Sequence, residues 1–174
     1  MNSVNPNQEI KVSKVTLNIG TGGPGDRMEK AVKLLTVITG QKPIKTKTMK
    51  RIPTWGVRPN LEVGCKVTVR GEDAEVLLQR LLSAKENKLS SRKFDKFGNL
   101  AFGIAEYIDI PGVNYDISIG IIGLEASVTL ERAGFRIKRR KIGKLNVGKR
   151  QKVSKEDAIL FMKSKFNVKI EEEE

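Results

Sequence analysis

Residues Leu61–Arg70 read LEVGCKVTVR, and the apolar side chains occupy every second position. Leu61, Val63, Cys65, Val67 and Val69 fall on one face, while Glu62, Gly64, Lys66, Thr68 and Arg70 fall on the other. A period of two is the signature of a β-strand with one buried side. Such a strand commits the chain to a sheet with a dry face and a wet face. Cys65 belongs to the dry set and is expected to pack as a small hydrophobe rather than act as a reactive thiol.

The same logic extends outward. Upstream, Val15, Leu17 and Ile19 alternate with Lys14, Thr16 and Asn18, which predicts a second strand of the same kind. A helix is predicted from Asp26, where Asp26 and Glu29 form a D-x-x-E capping pattern and Met28, Ala31, Val32, Leu35 and Ile38 form one stripe. Gly40 is placed to end it. The segment QKPIKTKT from Gln41 predicts a short basic strand.

Downstream, Ala74, Leu77, Leu78 and Leu81 predict a second helix, followed by a polar loop with Arg92, Lys93, Lys96 and Gly98. A strand is predicted over Phe102–Ile110, then a long one over Ile117–Leu130. In the latter, the apolar phase changes from Ile117, Ile119 and Ile121 to Leu124, Ala126, Val128 and Leu130, which predicts a bulge at Gly123. Ser154 and Asp157 form an S-x-x-D box opening a last helix with Ala158, Ile159, Met162 and Phe166. Strands and helices in this order predict an α+β sheet with helices on one face.

The chain has 174 residues, and 39% of them are hydrophobic, enough for a single domain over 1–174. Its formal charge is +13, which favours a polyanionic partner because each neutralised phosphate releases counterions. The charge is unevenly placed: residues 136–152 contain Arg136, Lys138, Arg139, Arg140, Lys141, Lys144, Lys149, Arg150 and Lys152 with no acid. Glu171–Glu174 reads as a solvated acidic tail. There is no histidine and only one cysteine, so zinc and triad chemistry are disfavoured and no cofactor or metal is expected. No apolar run is long enough to span a bilayer, and the first residues lack the features of a signal peptide; a cytoplasmic protein is expected.

Two motifs invite enzymatic readings. Gly20–Gly25, GTGGPG, matches G-x-G-x-x-G between a predicted strand and a predicted helix, as a nucleotide-dependent enzyme would require. The ribose-binding acid of that fingerprint is missing, Lys45, Thr46 and Lys47 occupying the second strand instead, and Asp26 lies where a pyrophosphate would sit. Asp95, Glu106, Asp109 and Asp116 offer carboxylates for a metal-dependent nuclease, but without a metal-site spacing. A general RNA chaperone is a third alternative.

Thr48–Asn60, TMKRIPTWGVRPN, holds the only tryptophan between two prolines and among Lys50, Arg51 and Arg58. It reads as an exposed, stiffened basic loop. Trp55 is expected either to stack on a base or to fold back and brace the loop.

Taken together, VTLNIG, LTVITGQKPIKTKT, LEVGCKVTVRG, FGNLAFGIAEYIDIPGVNYD and SIGIIGLEASVTLERAGFRIKRRK occur in the order seen in the large-subunit ribosomal protein five family, and the chain resembles that family over residues 9–168. The part from Gly134, ending in VSKEDAILFMKSKF, is similar to its archaeal and eukaryotic branch. The resemblance implies an antiparallel sheet with helices on one face and the other open to 5S rRNA. It implies RNA contacts at Asn18, Gln41 and Thr68, with Lys14, Thr16, Lys45, Lys47, Lys66 and Arg70 as neighbours. The loop Thr48–Asn60, with Lys50, Arg51, Trp55 and Arg58, would face P-site tRNA, and the basic segment, including Arg139, Arg140 and Lys141, would run along ribosomal RNA. Further implied partners are large-subunit rRNA, other proteins of the central protuberance, and small-subunit protein thirteen across the subunit interface.

Overall fold

The computed structural model describes residues 5–171. Five strands form one sheet: β1 (Lys11–Gly20), β2 (Ile44–Lys47), β3 (Glu62–Arg70), β5 (Leu100–Ile104) and β6 (Leu124–Glu131). Their spatial order is β2-β3-β1-β6-β5, and every neighbouring pair is antiparallel. β1 sits at the centre, with Val15 opposite both Val69 and Val128, and Leu17 opposite both Val67 and Ala126. Its two-residue period therefore propagates across three strands at once.

The dry face is covered by α1 (Asp26–Thr39), α2 (Glu72–Ser83) and α4 (Lys155–Phe166). Leu17, Leu34, Leu35, Leu78, Leu81 and Met162 are fully buried in a single cluster there, and removing each large side chain from water stabilises the fold by about 1.5–3 kcal/mol. α4 is opened by a complete capping box, Ser154 Oγ accepting from the Asp157 amide and the Asp157 carboxylate accepting from the Ser154 amide. Lys165 of α4 reaches Glu75 of α2 at 2.7 Å.

Several expectations are corrected. α1 begins at Asp26 as expected, but its cap residue is Gly25 and no side chain caps it; Asp26 and Glu29 lie inside the first turn, where their charges complement the helix dipole. Its buried stripe includes Leu34, whereas Val32 is only partly covered. The expected strand over Phe102–Ile110 stops at Ile104, because Tyr107 turns wholly into the core in a single 3-10 turn, Tyr107–Asp109. The Tyr107 hydroxyl accepts from the Asp116 amide at 3.0 Å, holding the returning chain.

The long strand expected from Ile117 starts only at Leu124, with no bulge at Gly123. Ile119 and Gly120 donate their amides to Asp116 O at 3.0 and 3.1 Å, forming a turn in which Ile119 and Ile122 are buried while Ile117 and Ile121 are 85% and 64% exposed. An alternating sequence thus folds with a turn's spacing. The change of phase marks the start of the strand.

Two further features have no counterpart in the sequence reading. β4 (Lys88–Ser90) and β7 (Lys169–Glu171) pair in parallel, so Glu171 closes a two-stranded sheet rather than beginning a tail; Glu172–Glu174 lie outside the described residues. Pairing of three residues on each side, separated by about half the chain, leaves no local pattern to read. The other is α3 (Arg136–Arg139), a single basic turn after Gly134.

Gly123 is required by close approach: a Cβ there would lie 2.8 Å from the Ala105 carbonyl oxygen and 3.1 Å from that of Ile104. Gly123→Ala is expected to lower stability by about 1–3 kcal/mol in urea unfolding. Gly103→Ala, where an added Cβ meets nothing within 4 Å, is expected to change it by no more than about 0.5 kcal/mol.

Candidate nucleic-acid interface

The uncovered face of the sheet is built by register. Asn18 stands between Lys66 and Glu125, Thr16 between Thr68 and Ser127, and Lys14 between Arg70 and Thr129. Directly paired residues share a face, so these form three polar rows. Ala101 lies beside Ser127 and Gly103 beside Glu125, keeping the β5 end low in relief. The Thr16 and Thr68 hydroxyls lie 3.3 Å apart. Ser127, Thr129 and Glu125 are absent from the residues expected from the sequence, although the alternation Leu124, Ala126, Val128, Leu130 already sends them outward.

The electrostatics of this face are unbalanced. Lys14 and Arg70 are directly opposite across β1 and β3, and like charges so placed repel unless an anion lies between them. Lys66 extends the positive edge. The acid in these rows, Glu125, accepts from the side-chain amide of Asn18 at 3.4 Å. Hydroxyls and an amide between cations suit phosphate oxygens, 2′-OH groups and base edges of a shallow RNA groove.

Other expected contacts are distributed differently. β2 pairing puts Ile44 opposite Lys66 and Thr46 opposite Gly64, so these two share the open face while Lys45 is opposite Cys65. The Lys45 ammonium meets Glu62 at 3.0 Å, and Lys47 follows a register shift at the sheet edge. Gln41 is exposed in the turn after α1, where Gly40 takes the left-handed conformation with φ 66°.

Thr48–Asn60 forms a small closed hairpin. Thr48 N–H donates to Leu61 O at 3.0 Å, Ile52 and Val57 exchange both backbone hydrogen bonds, and Pro53–Trp55 makes one 3-10 turn ended by Gly56 at φ 63°. Val57 is buried and Trp55 is 76% exposed at the tip, so the indole is not folded back as a brace. Lys50, Arg51 and Arg58 are exposed around it.

The basic segment is tied down as well. Arg132 donates to the carbonyls of Arg150 and Lys152 at 2.9 and 3.3 Å and to Asp157 at 3.0 Å, and Gln151 donates to Ala133 O at 3.3 Å. Arg139 is paired with Glu131, Arg140 Nε donates to Gly143 O at 2.6 Å, and Lys141 is exposed.

The enzymatic alternatives lose their geometry. The Thr21 and Gly22 amides, which a bound phosphate would need, donate to Val63 O at 2.8 and 3.1 Å, and the sheet is antiparallel rather than doubly wound. Asp95 accepts from the Phe97 and Asn99 amides of its own turn, both at 2.8 Å. Asp116 is held by Lys33 and Ser118, which lower its pKa to about 2. Among the described residues no three His, Cys, Asp or Glu side chains are grouped to hold a metal, and no helix is long and apolar enough to cross a membrane.

Comparison with known proteins decides the family. Residues 5–58 match the model described as ribosomal protein L5, and residues 62–167 match the model of that family's C-terminus. The chain belongs to the ribosomal protein L5 family. It is 45% identical over 171 residues to large ribosomal subunit protein uL5 of Sulfurisphaera tokodaii, covering 98% of this chain and 97% of that one. Identity to uL5 of Nanoarchaeum equitans is 47% over 166 residues, covering 95% and 98%. With uL5 of Nitrosopumilus maritimus it is 45% over 165 residues, covering 95% of each. Both L5 segments meet in the sheet: β1 and β2 come from the first, and β3, β5 and β6 from the second. The similarity to the archaeal branch is thereby upheld, and RNA binding follows from membership of the L5 family.

Cys65 tests the separation of the two faces. Burial pushes its thiol up to about 11 from an ordinary 9.0. At pH 8 it should resist alkylation in the native protein and react readily in urea. Because the folded value is the higher one, its stabilising contribution is complete below about 9 and is lost as pH rises through about 11.

Proposed function

We propose that this chain is a docking protein of the large ribosomal subunit that binds 5S rRNA through the open face of its sheet. It helps attach that RNA to large-subunit rRNA in the central protuberance, among the other proteins there. The hairpin Thr48–Asn60 reaches P-site tRNA, and a contact with small-subunit protein thirteen bridges to the small-subunit head. No step requires a cofactor.

The observation that carries the RNA-binding face is the pairing of Lys14 with Arg70 beside the Thr16–Thr68 hydroxyl row. A phosphate between the two cations removes their repulsion and releases counterions. The hydroxyls alongside require no long side chain to be immobilised, which lowers the entropic cost of docking. For the tRNA contact, support comes from a hairpin whose backbone is closed by its own hydrogen bonds and whose cations are left exposed.

Equilibrium binding of the full chain to 5S rRNA tests the first part. Thr68→Val and Asn18→Ala should each weaken it about fivefold, the cost of one neutral hydrogen bond. Arg70→Ala should reduce the salt dependence of binding by about one released counterion. Equal affinity for unrelated structured RNA would instead favour the chaperone alternative. On assembled ribosomes, Arg51→Ala and Arg58→Ala should weaken P-site tRNA binding. If Trp55→Ala does so equally, the indole contributes stacking as well as shape.

A further inference from the structure

A cleft of about 490 Å³ lies between the basic segment and the edge of the open face. Phe97 and Phe135 line it, with Lys14, Lys138, Lys144 and Lys152 around them. Its one acid, Glu131, is already paired with Arg139. Two aromatic rings thus stand among cations, and the volume lies within the range of about 300–1,000 Å³ found for small-ligand sites.

Phe97 is 57% exposed, yet its turn is rigid. The Asp95 carboxylate accepts from the Phe97 amide, the Asn99 amide and the Asn99 side chain, each at 2.8 Å. Gly98, at φ +76°, packs so closely that a Cβ would lie 2.6 Å from Val153 Cγ1. The turn is therefore locked against the residue preceding the α4 cap. With the backbone of the turn fixed in this way, stacking on the ring costs only the rotamer freedom of one side chain. Lys96 lies 5.3 Å from the centre of the same ring, adding charge beside it.

We infer that this cleft takes one unstacked nucleotide of a single-stranded or looped ribosomal RNA segment, its base against Phe97 and its phosphates toward the surrounding lysines. Lys14 and Thr129 belong both to this cleft and to the open face, so RNA on the sheet can enter without leaving the protein surface. The exposed amide of Asn146 and the hydroxyl of Thr129 are within the lining and can meet base or sugar edges. An acidic peptide would use the cations but leave the aromatic wall without a planar partner. This site rests on the RNA-docking function proposed above.

The test uses the full chain with Trp55→Phe and Phe97→Trp together, so that the one indole reports on the cleft. A single-stranded adenosine hexanucleotide should quench its fluorescence, and a duplex of equal length should bind without quenching it. In the otherwise natural chain, Phe97→Ala should weaken hexanucleotide binding about fivefold or more. An unchanged indole emission at saturating hexanucleotide, or an unchanged affinity in Phe97→Ala, overturns the site. Quenching by 5S rRNA identifies that RNA as the source of the nucleotide. If 5S rRNA binds without quenching while the hexanucleotide quenches, the site stands and its nucleotide comes from large-subunit rRNA. If the hexanucleotide quenches but 5S rRNA does not bind the natural chain, the site stands and the 5S rRNA docking fails.

Discussion

The constraint on which the structure depends is the two-residue period of β1, paired on both sides. Val15, Leu17 and Ile19 can be buried only if Lys14, Thr16 and Asn18 face the other way, and antiparallel register imposes the same division on β3 and β6. Among the described residues no charged side chain is buried in the core, and the hydroxyl of the fully buried Tyr107 is hydrogen-bonded to the Asp116 amide. The helices cover most of the apolar face, leaving Leu61 and Val63 only partly buried at the start of β3. The polar rows, including the opposed Lys14 and Arg70, remain at the surface as a consequence of the same alternation.

From that division follows the difference in character between the two main faces. The helical side is fixed by volume and packing, so substitutions there act on stability. The open side is flat, hydroxylated and positive, so substitutions there should act on binding. Arg132 joins the two parts of the molecule: one guanidinium ties Arg150, Lys152 and Asp157 together, which holds the basic segment beside the sheet. A segment with this composition would otherwise have little apolar surface to keep it in place.

Much of this is legible in the sequence, for identifiable reasons. β1, β3, α1 and α2 carry strong local periodicity, whereas α4 buries only Ala158 and Met162 and is marked by the chemistry of its Ser154 box. Ile117–Ile121 misleads because alternating isoleucines can also populate a turn, and only the Asp116 carbonyl and the Tyr107 hydroxyl reveal which occurs. β4 with β7 cannot be read, since three-residue strands gain their identity from a distant partner. Of the candidate site residues, Asn18, Thr16, Thr68, Lys14, Lys66 and Arg70 are legible as members of the open face from strand parity, whereas the placement of the β2 lysines needs the register. Phe97 is hidden in a loop whose rigidity comes from Asp95 and Gly98 acting through space.

Amine footprinting of the free chain and of its complex with 5S rRNA tests the use of the open face most directly. Lys14 and Lys66 should lose reactivity in the complex, while Lys30 on α1 and Lys163 on α4 should retain it. Protection of Lys30 and Lys163 with Lys14 and Lys66 unchanged would place the RNA on the helical side and contradict docking through the sheet.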